Sequence, residues 1–307
     1  MNQILTVENE ETKERLDKFL SRCFPEYSRA RLQKLIKEGG VDVNGKKVSV
    51  HFFLKAGDTV EIDLPEKENQ KIKPEKNENL EIVAENADFL IINKPPGLLV
   101  HPTAGQQEKT LANQLLYYCP SLKNVGDDET RPGLVHRLDK EVSGLMVVAK
   151  HQKAFEHLKN QFQSHKVKKG YLTLVYNQVN REEGVIDFPI SRAKTGLFVA
   201  RPKNQAGKEA ITCYKVIKRF PRYTLLAVRT LTGRSHQIRV HLKALDHPIV
   251  GDQLYKNKKL KEKIKLDRIF LHASSLGFFG LDNQWYEYEK KLPPDLNKVI
   301  DELGGKT

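Results

Sequence analysis

Two apolar spacings alternate along the chain, one helical and one of period two, and they mark its elements before any chemistry is considered. Near the start, residues 15–20 and 28–38 have helical character, with Ser28 suited to cap the second helix. In that helix Leu32, Leu35 and Ile36 share one face, while Arg31, Lys34 and Lys37 recur on another. Gly39-Gly40 and the hairpin pattern VDVNGKKVSV follow, with Asn44-Gly45 as a strong turn signal. A further strand is predicted over residues 59–64, after Gly57-Asp58.

Beyond residue 80 strands dominate. Residues 89–93 read as a strand entering the Pro/Gly loop NKPPGLLVHP, and 145–149 as a buried strand. Residues 154–163 predict a helix with Phe155, Leu158 and Phe162 on one face; 171–176 and 223–230 predict strands. SHQIRVHLKAL is helical: Ile238, Leu242 and Leu245 fall at i, i+4 and i+7, and His236, Arg239 and Lys243 gather on another face. Strands with interspersed helices and no regular βαβ rhythm give an α+β fold class.

Between the two regimes, residues 66–79 read EKENQKIKPEKNEN. Ile72 is their only large apolar residue, and Pro74 interrupts any helix. The expected organisation is a small domain (1–65), a solvated linker (66–79) and a larger domain (80–307). The net charge of +13 and pI near 9.4 point to a polyanionic partner, most often nucleic acid, although a basic surface kept for solubility gives the same numbers. Residues 256–265 hold six lysines in ten positions, which suits a solvated loop or a phosphate-contacting one. Cys23, Cys119 and Cys213 lie far apart, against a disulfide framework or zinc site and in keeping with a reducing cytoplasm. The opening MNQILTVENEETKERL is polar and acidic, unlike a signal or transit peptide, and no apolar run approaches membrane-spanning length.

The motifs exclude much chemistry. His236 and His241 are five apart, on different helix faces, and neither HExxH nor CxxC occurs, so no metal is expected. Ser143-Gly144 lacks a nucleophile elbow, and no phosphate-binding glycine loop is present, so no cofactor is expected either. A carboxylate among arginines remains. Asp139 sits in GLVHRLDKEVSGLMVVAK, between two apolar runs and directly after His136 and Arg137. An aspartate held near arginine stays ionised, which suits a nucleophile. A buried ion pair locking two segments fits equally well.

HRLDKEVSGLMVVAK closely resembles the active-site motif of the RluA family of pseudouridine synthases. NKPPGLLVHP, KVKKGYLTLVYN, LTGRSHQIRVHLKALDHPIVGDQLY and LHASSLGF match further family segments in the family's order. The likeness spans residues 88–279 and is nearest to bacterial large-subunit ribosomal RNA enzymes of the RluD type. SRARLQKLIKEGGVDVNGK resembles the small RNA-binding domain first known from a ribosomal small-subunit protein, a common companion in this family. Val142 stands where the family usually has Thr, and Leu-Thr-Leu follows Tyr171 where a small residue is more usual. The resemblance implies a mixed, mainly antiparallel sheet with flanking helices that isomerises uridine to pseudouridine in RNA. Ribosomal RNA is the expected partner. Transfer RNA and a non-catalytic ribosome-assembly role are the alternatives.

It also implies roles. Asp139 would be the nucleophile, and Arg239 its partner. Tyr171 would stack on uracil and help remove the proton from the new carbon bond. Arg137 would fill the space of the flipped nucleotide or hold its phosphate. Leu271 would form an apolar wall, His136, Arg234 and His236 would support the substrate, and Lys94 would shape the pocket loop. Arg31, Lys34 and Lys37 would contact RNA. A monomer in the cytoplasm is expected.

Overall fold

The computed structural model describes residues 2–8, 13–25, 27, 29–64, 72–76, 80–103, 105–201, 206–256 and 264–305. The expected cap Ser28, most of the lysine-rich run 256–265 and much of the linker lie outside them. The chain forms two compact units, Met1–Gln70 and Lys71–Thr307.

The first unit contains β1 (Asn2–Thr6), α1 (Leu16–Cys23), α2 (Arg29–Lys37), β2 (Val41–Val43), β3 (Lys46–Lys47) and β4 (Thr59–Asp63). Its antiparallel sheet runs β1-β4-β2-β3. Asn44 and Gly45 both have positive φ (52° and 71°), as the two-residue turn between β2 and β3 requires. Leu32 and Ile36 of α2 are buried with Phe19 and Leu20 of α1, which leaves Arg31, Lys34 and Lys37 exposed. Asp17, in the first turn of α1, is fully buried. It accepts hydrogen bonds from Arg15 (3.0 Å), Arg29 (2.7 Å) and Gln33 (2.6 Å). Burial alone would raise its pKa, but these donors and the Arg29 charge hold the carboxyl down at about 2.

The second unit follows with β5 (Glu81–Glu85), β6 (Phe89–Lys94), α3 (Leu111–Tyr118), β7 (Ser143–Ala149), α4 (Gln152–Gln163), β8 (Lys168–Tyr176), β9 (Glu183–Ile186), β10 (Ile190–Arg192), β11 (Phe198–Ala200), β12 (Thr212–Phe220), β13 (Tyr223–Thr230), α5 (Gln237–Ala244), β14 (Leu271–Phe279), β15 (Trp285–Glu289) and α6 (Pro294–Gly304). Among the described residues the main sheet runs β5-β6-β7-β14-β8-β13-β12-β9, with β15 added to the later half of β14; β10 and β11 form a separate hairpin. All pairings are antiparallel except β7 with β14.

That parallel junction is short: His272 opposes Ser143, and Ala273 opposes Gly144. Gly144 has φ 125°, and a Cβ there would stand 2.2 Å from the Ala273 carbonyl oxygen, so only glycine lets the strands meet. Every residue of β7 is buried, as its continuous apolar run predicts.

Pattern alone left α3 and α6 unassigned. α3 buries six consecutive residues, Leu111–Leu116, so it has no polar face to mark it. Thr110 and Asn113 form a capping box at its start. Asn113 also donates to the Lys73 carbonyl (2.8 Å) and accepts at its own carbonyl from the Glu75 N–H (3.0 Å), while Ile72 packs on the main core. Residues 72–76 of the expected linker therefore lie against the larger unit.

Candidate active site

Three neighbouring pieces of backbone converge at the β7–β14 junction. The first is the turn before β7. Leu138 and Val142, both buried, fix its two sides, and the Val142 N–H donates to the Asp139 carbonyl (3.1 Å). The Asp139 side chain between them remains 22% exposed, facing a cleft of about 850 Å³. Apolar Val142 lines that cleft and joins the core.

Behind the turn lies Lys94, fully buried. Its ammonium donates to the carbonyls of Pro95 (2.8 Å), Leu98 (2.9 Å) and Lys140 (3.0 Å). It thereby ties the Pro/Gly loop to the residue next to Asp139. Burial, aided by the Arg268 charge, pushes Lys94 down to about 7. Three carbonyl acceptors oppose this, because only the charged form offers three N–H donors. Ser143 adds a second tie: its hydroxyl meets His272 Nδ1 (2.9 Å) and accepts from Arg268 (2.5 Å).

The second piece is α5. Its cap residue His236 adopts a left-handed conformation (φ 56°), and Gln237 holds the preceding loop with both ends of its amide: Oε1 accepts from Thr232 and the Arg234 N–H, and Nε2 donates to Ile211 and Thr212. Ile238 and Leu242 then enter the core, which turns Arg239 toward the turn. Arg239 donates to Asp139 (3.2 Å).

The third piece was not read from the sequence. Asp252 takes two hydrogen bonds from Arg239, each 2.8 Å, and also accepts from the N–H groups of Leu254 and Tyr255. Tyr255 lies beneath the guanidinium, 4.9 Å from ring centroid to Cζ, and its hydroxyl meets His236 Nδ1 (2.7 Å). The face bearing His236, Arg239 and Lys243 is thus a seat for one tyrosine ring. The only sequence signal for Asp252 was a second acidic residue, in HPIVGDQLY, within a segment rich in cations.

The other expected residues fall around the same cleft. Tyr171 and Leu271 line it from β8 and β14. Burial, reinforced by the nearby Asp139 charge, pushes the Tyr171 phenol up to about 12 although Thr230 hydrogen-bonds to it. His136 lines the cleft as well. Its ring stacks on Phe162 (centroids 4.5 Å apart), its Nε2 accepts from the Val147 N–H (3.0 Å), and burial holds it neutral at about 3. It supports the wall of the cleft, and this acceptor is already used.

Arg137 is exposed at the rim, with Nη1 3.4 Å from His101 Nε2. Arg234 lines the cleft and donates to the Glu209 carbonyl (2.8 Å). His236 Nε2 stands 3.9 Å from Asp139, and burial lowers its pKa. His241, by contrast, is wholly enclosed between Thr212 and the Phe188 carbonyl. Among the described residues no group of three or more His, Cys, Asp or Glu is placed to hold a metal ion, and no helix is long and apolar enough to cross a membrane.

Comparison with known proteins gives this arrangement a family. Residues 88–244 match the RNA pseudouridylate synthase family, and residues 14–60 match the S4 domain. An "Uncharacterized RNA pseudouridine synthase" of Aquifex aeolicus is 41% identical over 99% of this chain and 98% of its own. "Ribosomal large subunit pseudouridine synthase D" of Yersinia pestis is 37% identical, over 98% and 94%. The solved structure of "Human RNA Pseudouridylate Synthase Domain Containing 1" superposes with a TM-score of 0.60 at 26% identity, covering 76% of this chain and 97% of that one. The Asp139 turn, β7 and α5 of this chain fall within the matched residues 88–244, and the chain belongs to the RNA pseudouridine synthase family, of the RluA type with an N-terminal S4 domain, isomerases that act on RNA.

Proposed function

We propose that Asp139 is the nucleophile of this RNA pseudouridine synthase and that its substrate is bacterial large-subunit ribosomal RNA. The observation that carries the first part is the placement of the Asp139 carboxylate. It faces the cleft while its turn is tied down on both sides and its charge is met by an arginine that is itself clamped. A buried ion pair serving only to lock two segments would not need an exposed carboxylate edge.

In the reaction, Asp139 attacks the ribose at C1′ or assists formation of a glycal. The N1–C1′ bond breaks, and uracil leaves as a delocalised anion, so no strong general acid is needed. This differs from glycoside hydrolysis, where a second carboxyl protonates the leaving oxygen. The base turns and C5 bonds to C1′ as the Asp139–C1′ bond breaks or, on the glycal route, as Asp139 returns the C2′ proton it took. The C5 proton is then lost with the help of Tyr171 and N1 gains one from water, so Asp139 is regenerated and the net change is an isomerisation. Tyr171, as a neutral phenol, is a stacking platform for the base. Leu271 is an apolar wall, and Arg137 at the rim holds the flipped strand.

The printed name of the Yersinia pestis relative supports the ribosomal target, and the basic α2 face of the S4 unit suits a large structured RNA. On this reading the enzyme works in the cytoplasm, where that RNA is made. Pseudouridine mapping of total RNA with and without the gene tests it. Loss of signal at large-subunit ribosomal positions is expected; loss in transfer RNA alone would overturn the target, and no loss anywhere would favour a non-catalytic assembly role.

A further inference from the structure

Among the described residues Lys169 is a cation without a counterion. It lines the cleft from β8, two residues before Tyr171 and so on the same strand face. Its surroundings contrast with those of its neighbours. Lys159, on the same cleft, is ion-paired to Asp127 at 2.7 Å, and Arg239 is held by two aspartates. Among the described residues Lys169 has no ion pair; its ammonium reaches only the Thr232 carbonyl, at 3.4 Å. Burial lowers its pKa to about 8, with no carboxylate to offset it.

A partly desolvated cation is costly unless something pairs with it. Among the described residues nothing does so. The partner must arrive with the substrate. Uracil and ribose carry no charge, so the anion available in RNA is the phosphodiester. We propose that Lys169 binds a phosphate adjoining the reacting uridine and so anchors the flipped nucleotide in the cleft. The inference rests on the RNA isomerase reading and adds a substrate contact to it.

The titratable and charged groups that line the cleft with Lys169 include His136 from the turn before β7, Tyr171 on β8, His165 after α4, Arg234 and His236 before α5, Arg239 on α5, and Asp139. His136 is neutral near pH 7, and so is Tyr171. A phosphate at Lys169 would restore its proton. RNA affinity of the native enzyme should therefore fall as pH rises from 7 to 9, as the free amine loses the proton that binding requires.

The test uses the full-length protein with Lys169→Met and Lys169→Arg, each first checked by thermal melting. The probe is a large-subunit ribosomal RNA fragment on which the native enzyme forms pseudouridine; native turnover on it tests the underlying reading separately. Lys169→Met should bind about tenfold more weakly, with a log–log salt slope lower by about one unit. Lys169→Arg should keep the affinity and lose the fall between pH 7 and 9. Neutral methylphosphonates on both sides of the target uridine should weaken binding by the native enzyme but not further by Lys169→Met. Unchanged affinity in Lys169→Met, an equal further loss on the methylphosphonate RNA, or failure of Lys169→Arg with a lowered melting temperature would each overturn the proposal. The last outcome would make Lys169 a brace for the Thr232 loop.

Discussion

Arg239 gives two of its nitrogens to Asp252 at 2.8 Å each and only one to Asp139, at 3.2 Å. The buried, bidentate pair is the tighter of the two, and it aims the remaining N–H at the exposed carboxylate. Asp252 thus acts on Asp139 through Arg239. Asp252→Ala should leave a buried guanidinium half-paired and cost about 3–5 kcal/mol of stability. Asp252→Asn keeps the shape and should fold, with a single-turnover rate at least about tenfold lower, or ~1.4 kcal/mol of barrier. Chemical denaturation and single-turnover assays measure the two effects. A native rate in a stable Asp252→Asn protein would show that Asp139 needs no such aiming.

Asp139→Asn tests the nucleophile itself. The amide fills the same space and can still accept from Arg239, so RNA binding should persist while turnover disappears. Activity within about tenfold of native, under ~1.4 kcal/mol of barrier, would remove Asp139 from the chemistry.

Local patterns carried the fold further than the site. Short apolar runs located β6, β7, β8 and β13 to within a few residues, and α2, α4 and α5 followed from their apolar faces. α3 was hidden because a helix buried all round shows no amphipathic stripe. Asp139 and Arg239 were legible because a carboxylate in a basic segment is conspicuous and family motifs surround both. Asp252 was not, since its partner is 13 residues away on another element and only tertiary packing joins them. The buried state of Tyr171 and the stacking of His136 on Phe162 were equally invisible, because both depend on what the sheet brings beside them.

Gly144→Ala addresses the strand junction that places the Asp139 turn. A methyl group 2.2 Å from the Ala273 carbonyl cannot be accommodated by a side-chain rotation, and φ 125° is itself unfavourable for alanine. The β7–β14 pairing should separate, with a large drop in melting temperature or failure to fold. Normal melting would mean that β14 shifts freely, and the turn would then owe its position to Lys94 alone.

Asp17 gives the S4 unit an acid limit. Its carboxyl is held near 2 when folded and returns to about 3.8 when unfolded. Between those values the unfolded state binds more protons, so stability rises with pH there. The contribution is fully present above about pH 4 and is lost as pH falls toward 2. Urea unfolding of residues 1–70 at pH 5, 4, 3 and 2, followed by circular dichroism, should show this loss. Asp17→Asn should be weaker at pH 5 and flatter below it. A native profile equal to that of Asp17→Asn would show that Arg15, Arg29 and Gln33 do not hold the charge.

Removing the S4 unit separates affinity from chemistry, and the structure decides where to cut. Every residue lining the cleft lies beyond residue 134, so a protein beginning at Lys71 keeps the whole site. A protein beginning at Asn79 loses the Asn113–Lys73 and Glu75–Lys109 hydrogen bonds and the packing of Ile72, and should melt at a lower temperature. The longer form should retain single-turnover chemistry at saturating RNA. Its affinity should fall, because the exposed Arg31, Lys34 and Lys37 are gone. Three lost phosphate contacts would lower the log–log salt slope by about two to three units. Salt titrations of RNA binding, run beside single-turnover rates, measure both. An unchanged slope would mean that the S4 unit does not grip that RNA; a collapsed saturated rate in the folded Lys71 form would mean that it contributes to the chemistry.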